Sequence, residues 1–505
     1  MPIITTPLVN NALAKEFTPS DRIIHVKTDV LNVSIDRQGG NILKVSLPAY
    51  PKTLHSKESF ILLNDKPDNL YVAQSGLISN SGPDSLHQQA VYTSAAMDYQ
   101  LAQNQNELTV NLQWKNANGV TIHKNFTFKK GQYDIGVSYT IENNGLQAWT
   151  GYLYSQLVRK NVPQENKGMF QVNPYIGSII SSPEKRYEKI DFDKMIKQDF
   201  NQDIKNGWAA ILQHYFLSVW IPDNQQTFNY TTKALPQDLF LVRLVGTLFS
   251  VEPSKTKQIK TTFYAGPAIA DSLKNLAPGL DLTVDYGILW PIGIVIFWFM
   301  KNIHNLFGNW GVSIILVTLL IKLAFYKLSA ASYKSMASMR KLQPKLAALK
   351  ERYGEDRQKL SQATMELYRK EKVNPLGGCL PVLIQIPVFI ALYWVLIESV
   401  QLRQAPFMLW INDLSAPDPF YVLPIIMGIT IFLQQKMNPT PMDPIQAKVM
   451  MVLPIFFTVL FLNFPSGLVL YWVVNNVLSI IQQWYITHSL EKKDALPRLS
   501  HKKSN

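Results

Sequence analysis

The sequence is almost free of cysteine and lacks the residue patterns of common catalytic and metal sites. Cys379 is the only cysteine among 505 residues, so neither a disulfide nor a cysteine metal site can form within one chain. The eight histidines have no His-x-x-x-His spacing, and neither a Gly-x-Ser-x-Gly nor a phosphate-loop pattern occurs. We therefore predict no enzyme activity, no catalytic residue, no metal and no cofactor.

Long apolar runs are absent from the first part of the chain. Residues 1–285 are polar in composition, whereas residues 286–488 carry apolar runs interrupted by charged loops. We therefore predict a water-soluble domain followed by a membrane domain. Residues 1–21 contain no apolar stretch long enough for a signal peptide or an anchor, so we expect an upstream segment that this sequence does not show.

Basic residues outnumber acidic ones, and the excess lies beside the apolar runs. The formal net charge is +13. Residues 327–372 contain twelve Lys or Arg against five Asp or Glu, and residues 491–505 contain five against two. Both segments are therefore predicted to face the cytoplasm by the positive-inside rule. A nucleic-acid partner is the weaker interpretation of this charge.

Apolar and polar residues alternate over most of the soluble part, as they do in half-buried strands. The alternation is clear at Leu108, Val110, Leu112 and Trp114, and again at Ile135, Val137, Tyr139 and Ile141. Turn residues such as Gly39-Gly40 and Lys130-Gly131 separate the strands. We predict antiparallel sheets packed as a large sandwich over residues 22–270.

The first apolar run, from Gly287 to Met300, has 14 residues and is followed by Lys301 and Asn302. At about 1.5 Å per residue it is shorter than a hydrocarbon core of about 30 Å. We predict an interfacial helix within a linker at residues 271–309. A kinked part of a longer span is the alternative.

A lysine is predicted inside the first full span, from about Trp310 to Leu328. The apolar stretch before Lys322 has only twelve residues and cannot cross a membrane alone. A charge at this depth costs at least roughly 2 kcal/mol unless it faces water or a partner. Thr318 lies one turn earlier on the same helical face, which favours a polar stripe. The alternative is that Lys322 snorkels to the cytoplasmic headgroups.

Four further spans are predicted, which makes five. They cover residues 380–400, 420–434, 449–463 and 467–488. The second and third of these have only about 15 residues, so local thinning of the membrane is expected. Gln385, Asn475 and Asn476 lie inside spans, where they either join helices through hydrogen bonds or contact a substrate.

The loop at residues 332–372 carries the pattern of a helix with one apolar stripe. The stripe comprises Met336, Met339, Leu342, Leu346, Leu349 and Tyr353. Gly354 interrupts it, and a second stripe begins at Leu360, so we predict a basic antiparallel helical hairpin. A solvated spacer without a partner is the alternative.

Several distinctive stretches occur in a characteristic order. They are Gly308-Asn309-Trp310-Gly311, Asn374-Pro375-Leu376-Gly377-Gly378-Cys379, Arg403-Gln404-Ala405-Pro406-Phe407 and Phe464-Pro465-Ser466-Gly467-Leu468. On these motifs the chain resembles the YidC branch of the YidC/Oxa/Alb insertase family from residue 22 to about residue 490.

The resemblance implies a multidomain α+β protein of the bacterial inner membrane. A periplasmic all-β supersandwich at residues 22–270, in a periplasmic segment that reaches residue 285, would precede a polytopic α-helical membrane domain. The hairpin at 332–372 and the tail at 491–505 would lie in the cytoplasm. The five-span core at 310–490 would enclose a hydrophilic groove. The implied function is insertion, folding and assembly of membrane proteins, alone or with the Sec translocon.

The resemblance also places a positive residue in the groove, at Lys322. Family members usually have arginine there, and they carry a first transmembrane anchor before the periplasmic domain, so this sequence departs from the family at both points. The predicted groove residues are Lys322, Thr318, Gln385, Trp472, Asn475 and Asn476.

The implied partners are nascent membrane proteins, the Sec translocon, the ribosome and anionic lipids, with no small-molecule substrate. A small-solute transporter or channel is the alternative, since it also explains a buried cation and broken helices. No internal repeat supports it. A sugar-binding enzyme in the sandwich is a second alternative.

Overall fold

The chain divides into two structural units of different secondary structure. The computed structural model describes residues 21–85, 88–162, 174–354, 356–371, 373, 380–438 and 444–495. The two units are Met1–Val284 and Asp285–Asn505. The first is built of β-strands and the second of helices, so the predicted α+β class is confirmed. The predicted N-terminal segment and basic tail fall mostly outside the described residues, as do Cys379 and its motif.

The first unit contains two β-sheets. Its strands are β1 Ile23–Lys27, β2 Asn32–Asp36, β3 Asn41–Pro51, β4 Ser59–Leu63, β5 Tyr71–Ile78, β6 Thr93–Ser94, β7 Asp98–Gln100, β8 Glu107–Lys115, β9 Val120–Lys129, β10 Asp134–Asn143, β11 Trp149–Lys160, β12 Ile176–Ser181, β13 Glu188–Ile190, β14 Phe200–Lys205, β15 Trp208–Gln213, β16 Phe216–Pro222, β17 Thr227–Leu235, β18 Leu239–Gly246, β19 Phe249–Val251 and β20 Lys255–Pro267. A short helix, α1 Phe192–Lys197, lies between β13 and β14.

Each sheet is long, and the order of its strands differs from their order along the chain. One runs β14-β17-β18-β11-β5-β3-β2-β1-β7, with β19 beside β11 and β4 beside β3. The other runs β13-β12-β15-β16-β20-β10-β9-β8-β6. Among the described strand pairs β1 and β7 are parallel, whereas the long pairs such as β9 with β10 are antiparallel. The predicted β-sandwich is confirmed.

A buried lysine joins the two sheets. Lys124 on β9 is fully buried, and its Nζ donates to the carbonyl oxygens of Gly39, Gly40 and Ser75 at 3.0, 2.8 and 2.6 Å. Gly40 has a φ of +60°, and a Cβ there would lie 2.9 Å from Lys124 Cδ, so the turn needs glycine. Burial lowers the pKa of Lys124, and the nearby buried carboxylate of Asp84 offsets part of this shift.

The end of the first unit differs from the predicted linker, which began at residue 271. Helix α2, Ala270–Lys274, and the turn after it place Leu273, Ala277 and Leu280 in one buried cluster with strand residues such as Ile179. These side chains pack with strand residues of the sheet. They therefore belong to the sandwich core, and the division between the units falls after Val284.

The second unit contains nine described helices. They are α3 Trp290–Phe307, α4 Trp310–Ala324, α5 Tyr326–Lys341, α6 Gln343–Tyr353, α7 Arg357–Lys370, α8 Leu380–Glu398, α9 Val422–Met437, α10 Pro444–Phe461 and α11 Ser466–Ala495. By length and composition, Gly287–Phe307 is the one stretch among the described residues that could cross a membrane as a single helix. Shorter apolar helical stretches are Leu383–Glu398 of α8, Val422–Met437 of α9 and Ala447–Phe461 of α10. The interfacial helix and the five spans stay predictions.

Helix α4 ends four residues earlier than the predicted span. A bend of 69° separates it from α5, so the stretch to Leu328 is not one straight helix. Neither proline nor glycine lies at the bend. Gln482 Nε2 donates to the Tyr326 carbonyl oxygen there, at 3.4 Å. Beyond the bend, Tyr333 and Met336 pack against Ile486 of α11.

We expect Lys124→Met to loosen the contact between the sheets. It leaves three carbonyl oxygens and a buried carboxyl group without their cation, at a cost of about 3–5 kcal/mol. Hydrogen–deuterium exchange of the full chain in detergent should show β5 and β9 amides exchanging roughly a hundredfold faster. Lys129→Met, at an exposed position of the same strand, is the control. Equal exchange rates in both variants would contradict the role of Lys124 in joining the two sheets.

Candidate functional site

Two of the distinctive motifs meet at the start of α4. The Asn309 side chain accepts a hydrogen bond from the amide of Val312, which caps the helix, and donates to the Phe407 carbonyl oxygen at 2.8 Å. The Phe407 ring lies on Gly311, where a Cβ would come within 2.0 Å of it. Because any larger residue would displace Phe407, glycine is required at this contact.

A third motif joins the same end of the helical unit. Ser466 Oγ donates to the Asp413 carbonyl oxygen at 2.8 Å, and the amide of Gly467 donates to the carbonyl oxygen of Leu414. A Cβ at Gly467 would lie 3.2 Å from Ile314 of α4. The loop between α8 and α9 thus holds the starts of α4 and α11 in place.

A small pocket, lined by both apolar and polar side chains, lies between α4, α5, α8 and α11. It measures about 20 Å³, which is room for roughly one water molecule. Its lining residues are Ile321, Lys322, Phe325, Ser329, Ile384, Gln385, Val388 and Asn475. The pocket brings together three of the predicted groove residues, Lys322, Gln385 and Asn475.

Lys322 lies in the last turn of α4 and is only 8% exposed. Its Nζ donates to Ser479 Oγ of α11 at 2.6 Å. The side chain therefore points into the helical unit instead of extending along α4 to a free surface, as the snorkelling alternative requires. The structure describes no ion pair for this ammonium group.

Gln385 and Asn475 form a reciprocal amide pair across the pocket. Gln385 Nε2 donates to Asn475 Oδ1 at 3.2 Å, and Asn475 Nδ2 donates to Gln385 Oε1 at 3.3 Å. This pair joins α8 to α11, in agreement with the alternative that these residues link helices through hydrogen bonds. Each amide retains one N–H and a second lone pair, so the pair can also bind a ligand.

Asn476 faces a different neighbour from Asn475. Its Nδ2 donates to Thr430 Oγ1 of α9 at 3.1 Å. Gln483, two turns later, donates to the Met437 carbonyl oxygen and to Asn438 Oδ1. Asn476 is 4% exposed and does not line the pocket around Lys322. We therefore assign it to helix packing in this structure.

Thr318 and Trp472 also lie outside the lining of the pocket. Thr318 is 1% exposed, and its hydroxyl donates to the Ile314 carbonyl oxygen at 2.6 Å within α4. The Trp472 ring packs edge-on against Phe389 of α8, with centroids 4.9 Å apart. Its Nε1 is buried and has no hydrogen-bond partner among the described residues.

Sequence reasoning missed Ser479, although it contacts Lys322 directly. The signal was present in the spacing of Asn475, Ser479 and Gln483, which recur every four residues and so share one face of α11. All three are at most 5% exposed. A polar residue at each turn of an otherwise apolar helix indicates an internal polar face.

Comparison with known proteins assigns the chain to a family. The model of the YidC periplasmic domain matches residues 23–299, and the model of the 60Kd inner membrane protein matches residues 302–493. A membrane protein insertase YidC of Legionella pneumophila (strain Paris) is 53% identical over 93% of this chain and 84% of its own length. The YidC of Pseudomonas entomophila (strain L48) is 50% identical over 94% and 84%.

A solved structure is also similar. It is described as an active YidC insertase with the first transmembrane domain resolved, with 20% identity, 93% coverage of both chains and a TM-score of 0.43. The two family models and the curated relatives show that the chain belongs to the YidC family of inner-membrane proteins. The resemblance noted from the sequence motifs is thereby confirmed.

We expect Asn309→Ala to destabilise the helical unit by about 1–2 kcal/mol, because the helix cap is lost together with the bond to Phe407. Asn309→Asp should cost less, since a carboxylate still caps the helix but cannot donate to the carbonyl group. Thermal unfolding in detergent measures both. Asn302→Ala is the control, because Asn302 is exposed and its hydrogen bond among the described residues lies within its own helix. A midpoint for Asn309→Ala equal to the control would contradict the role of this contact.

Proposed function

We propose that this chain is a membrane protein insertase and chaperone, which receives hydrophobic segments of other proteins through a hydrophilic groove. The observation that carries the proposal is Lys322, a buried cation whose one partner among the described residues is a neutral hydroxyl. Such a charge is costly in an apolar unit, so it is expected where it has a function.

The groove would lower the cost of moving a polar client tail from water into lipid. Lys322 attracts an acidic group of the tail, and the amides of Gln385 and Asn475 exchange hydrogen bonds with its backbone. The ring of Trp472, which packs against Phe389, offers an apolar wall. Thr318 supports the fold of α4 behind Lys322.

Short helices would reduce the distance that the client crosses. Helix α9 has 16 residues, and at about 1.5 Å per residue it is about 24 Å long, against a hydrocarbon core of about 30 Å. A helix that is too short for the core thins the bilayer beside it. The client would therefore enter lipid where the apolar layer is thinnest.

In the proposed topology, the five-span core lies in the bacterial inner membrane, with residues 22–285 in the periplasm. The basic helices α6 and α7 and the tail face the cytoplasm. Their exposed cations suit the ribosome and anionic lipids, and the Sec translocon is a further partner of the proposed function. Met336 and Leu346 of the predicted stripe are buried, which disfavours a fully solvated spacer.

Insertion by the purified full chain in protein-free liposomes tests the function. Wild type and Lys322→Arg should insert a small coat-like protein with an acidic tail, whereas Lys322→Glu should lose most of this activity because it repels the tail. Protease protection of the client measures insertion. Flux of a small solute without insertion would instead favour the transporter.

A client with its acidic tail residues changed to Lys separates loss of attraction from misfolding. We expect Lys322→Glu to regain insertion with this client, since the charges are reversed as a pair. Equal insertion of the acidic client by wild type, Lys322→Arg and Lys322→Glu at matched protein levels would exclude Lys322 from the groove function.

Single cysteines test the topology in a variant with Cys379 replaced by serine. A cysteine at Asn106, an exposed residue of the first unit, should react with an impermeant thiol reagent from the periplasm. A cysteine at Ser338, exposed on α5, should react only after the inner membrane is opened. Labelling at Ser338 in intact spheroplasts would contradict the proposed orientation.

A further inference from the structure

Three groups form a directed chain of hydrogen bonds between α4 and α11. Lys322 Nζ lies 2.6 Å from Ser479 Oγ, and Ser479 Oγ lies 2.7 Å from the Asn475 carbonyl oxygen. A carbonyl oxygen can only accept, so the hydroxyl of Ser479 donates its single hydrogen to Asn475. Ser479 must then accept from Lys322. The direction of both bonds follows from the geometry.

We propose that Ser479 is a positioning residue for Lys322, which holds the ammonium group in place for an acidic client group that enters the proposed groove. The proposal rests on the insertase function proposed above and extends it to a residue outside the predicted groove set. Ser479 is 1% exposed, so it acts through Lys322 and does not itself touch the client.

This arrangement suits lysine in particular. An ammonium group has three N–H donors on a flexible four-carbon stem, and one bond to Ser479 restricts that stem. The other two donors have no partner among the described residues, so they are available to a carboxylate. Without Ser479 the ammonium group would sample several positions, and binding an acidic group would have to restrict it first.

The test uses the full chain in protein-free liposomes and two clients that differ only in their tail, which is acidic in one and carries Asn and Gln instead in the other. The quantity measured is the ratio of the insertion rates of the acidic and neutral clients. We expect Ser479→Ala to lower this ratio about tenfold, the effect of one hydrogen bond to a charged group. Ser479→Thr retains a hydroxyl and should restore the ratio.

Ser313→Ala is the matched control. Ser313 is also fully buried, and its Oγ donates to the carbonyl oxygen four residues earlier, that of Asn309, at 3.1 Å. It does not line the pocket. Its loss removes a buried hydroxyl and its bond to the preceding turn without touching Lys322, and the client ratio should equal that of wild type.

Lys322→Met completes a double-mutant cycle. If Ser479 acts through Lys322, Ser479→Ala should have no further effect on the ratio in the Lys322→Met background. The positioning role would be overturned if Ser479→Ala slowed insertion of both clients equally. It would also be overturned if Ser479→Ala lowered the ratio in the Lys322→Met background as much as in wild type. An unchanged ratio in Lys322→Met would refute the groove function itself. A lower ratio in Lys322→Met together with an unchanged ratio in Ser479→Ala would refute only the role of Ser479.

Discussion

The polar side chains of α11 must find hydrogen-bond partners inside an apolar helical unit, and the other helices are arranged around this requirement. Asn475 binds α8 through Gln385, Ser479 binds α4 through Lys322, and Asn476 binds α9 through Thr430. An unpaired buried polar group would cost about 1–3 kcal/mol. One helix therefore specifies the rotation of three neighbours, which apolar packing alone would leave less well defined.

The two units use a buried lysine in contrasting ways. Lys124 has all three N–H donors directed at backbone carbonyl oxygens, so its charge is fully engaged in joining two sheets. Lys322 has one described partner and lines a pocket. A lysine whose three N–H donors all have acceptors stabilises the fold, whereas a lysine with unused N–H donors can bind a ligand. Burial alone does not distinguish these cases, but the count of acceptors does.

Much of the architecture could be predicted from the sequence because its pattern is local. The alternation at Ile135, Val137, Tyr139 and Ile141 identifies a strand whichever strands pair with it, and the position of Lys322 in an apolar run identifies a buried charge. The spacing of polar residues marks an internal face of α11, but it does not say which helix that face meets, and the rotation of α11 brings Ser479 and not Asn476 to face α4.

Features that depend on tertiary contacts could not be predicted from the local sequence pattern either. The bend after Ala324 has no proline or glycine to mark it, and it involves a contact with Gln482, more than 150 residues away. Likewise, the residues after β20 resemble a linker by composition, and only their contact with the sheet identifies them as core.

The absence of a described counter-ion at Lys322 has an electrostatic consequence. The ammonium group is solvated by a hydroxyl dipole and by the negative end of the α4 peptide dipoles, since it lies in the last turn of that helix. Dipoles lower the self-energy of an ion without cancelling its net charge. The potential around such a monopole decays more slowly with distance than that of an ion pair, so an anionic segment would feel it before making any contact.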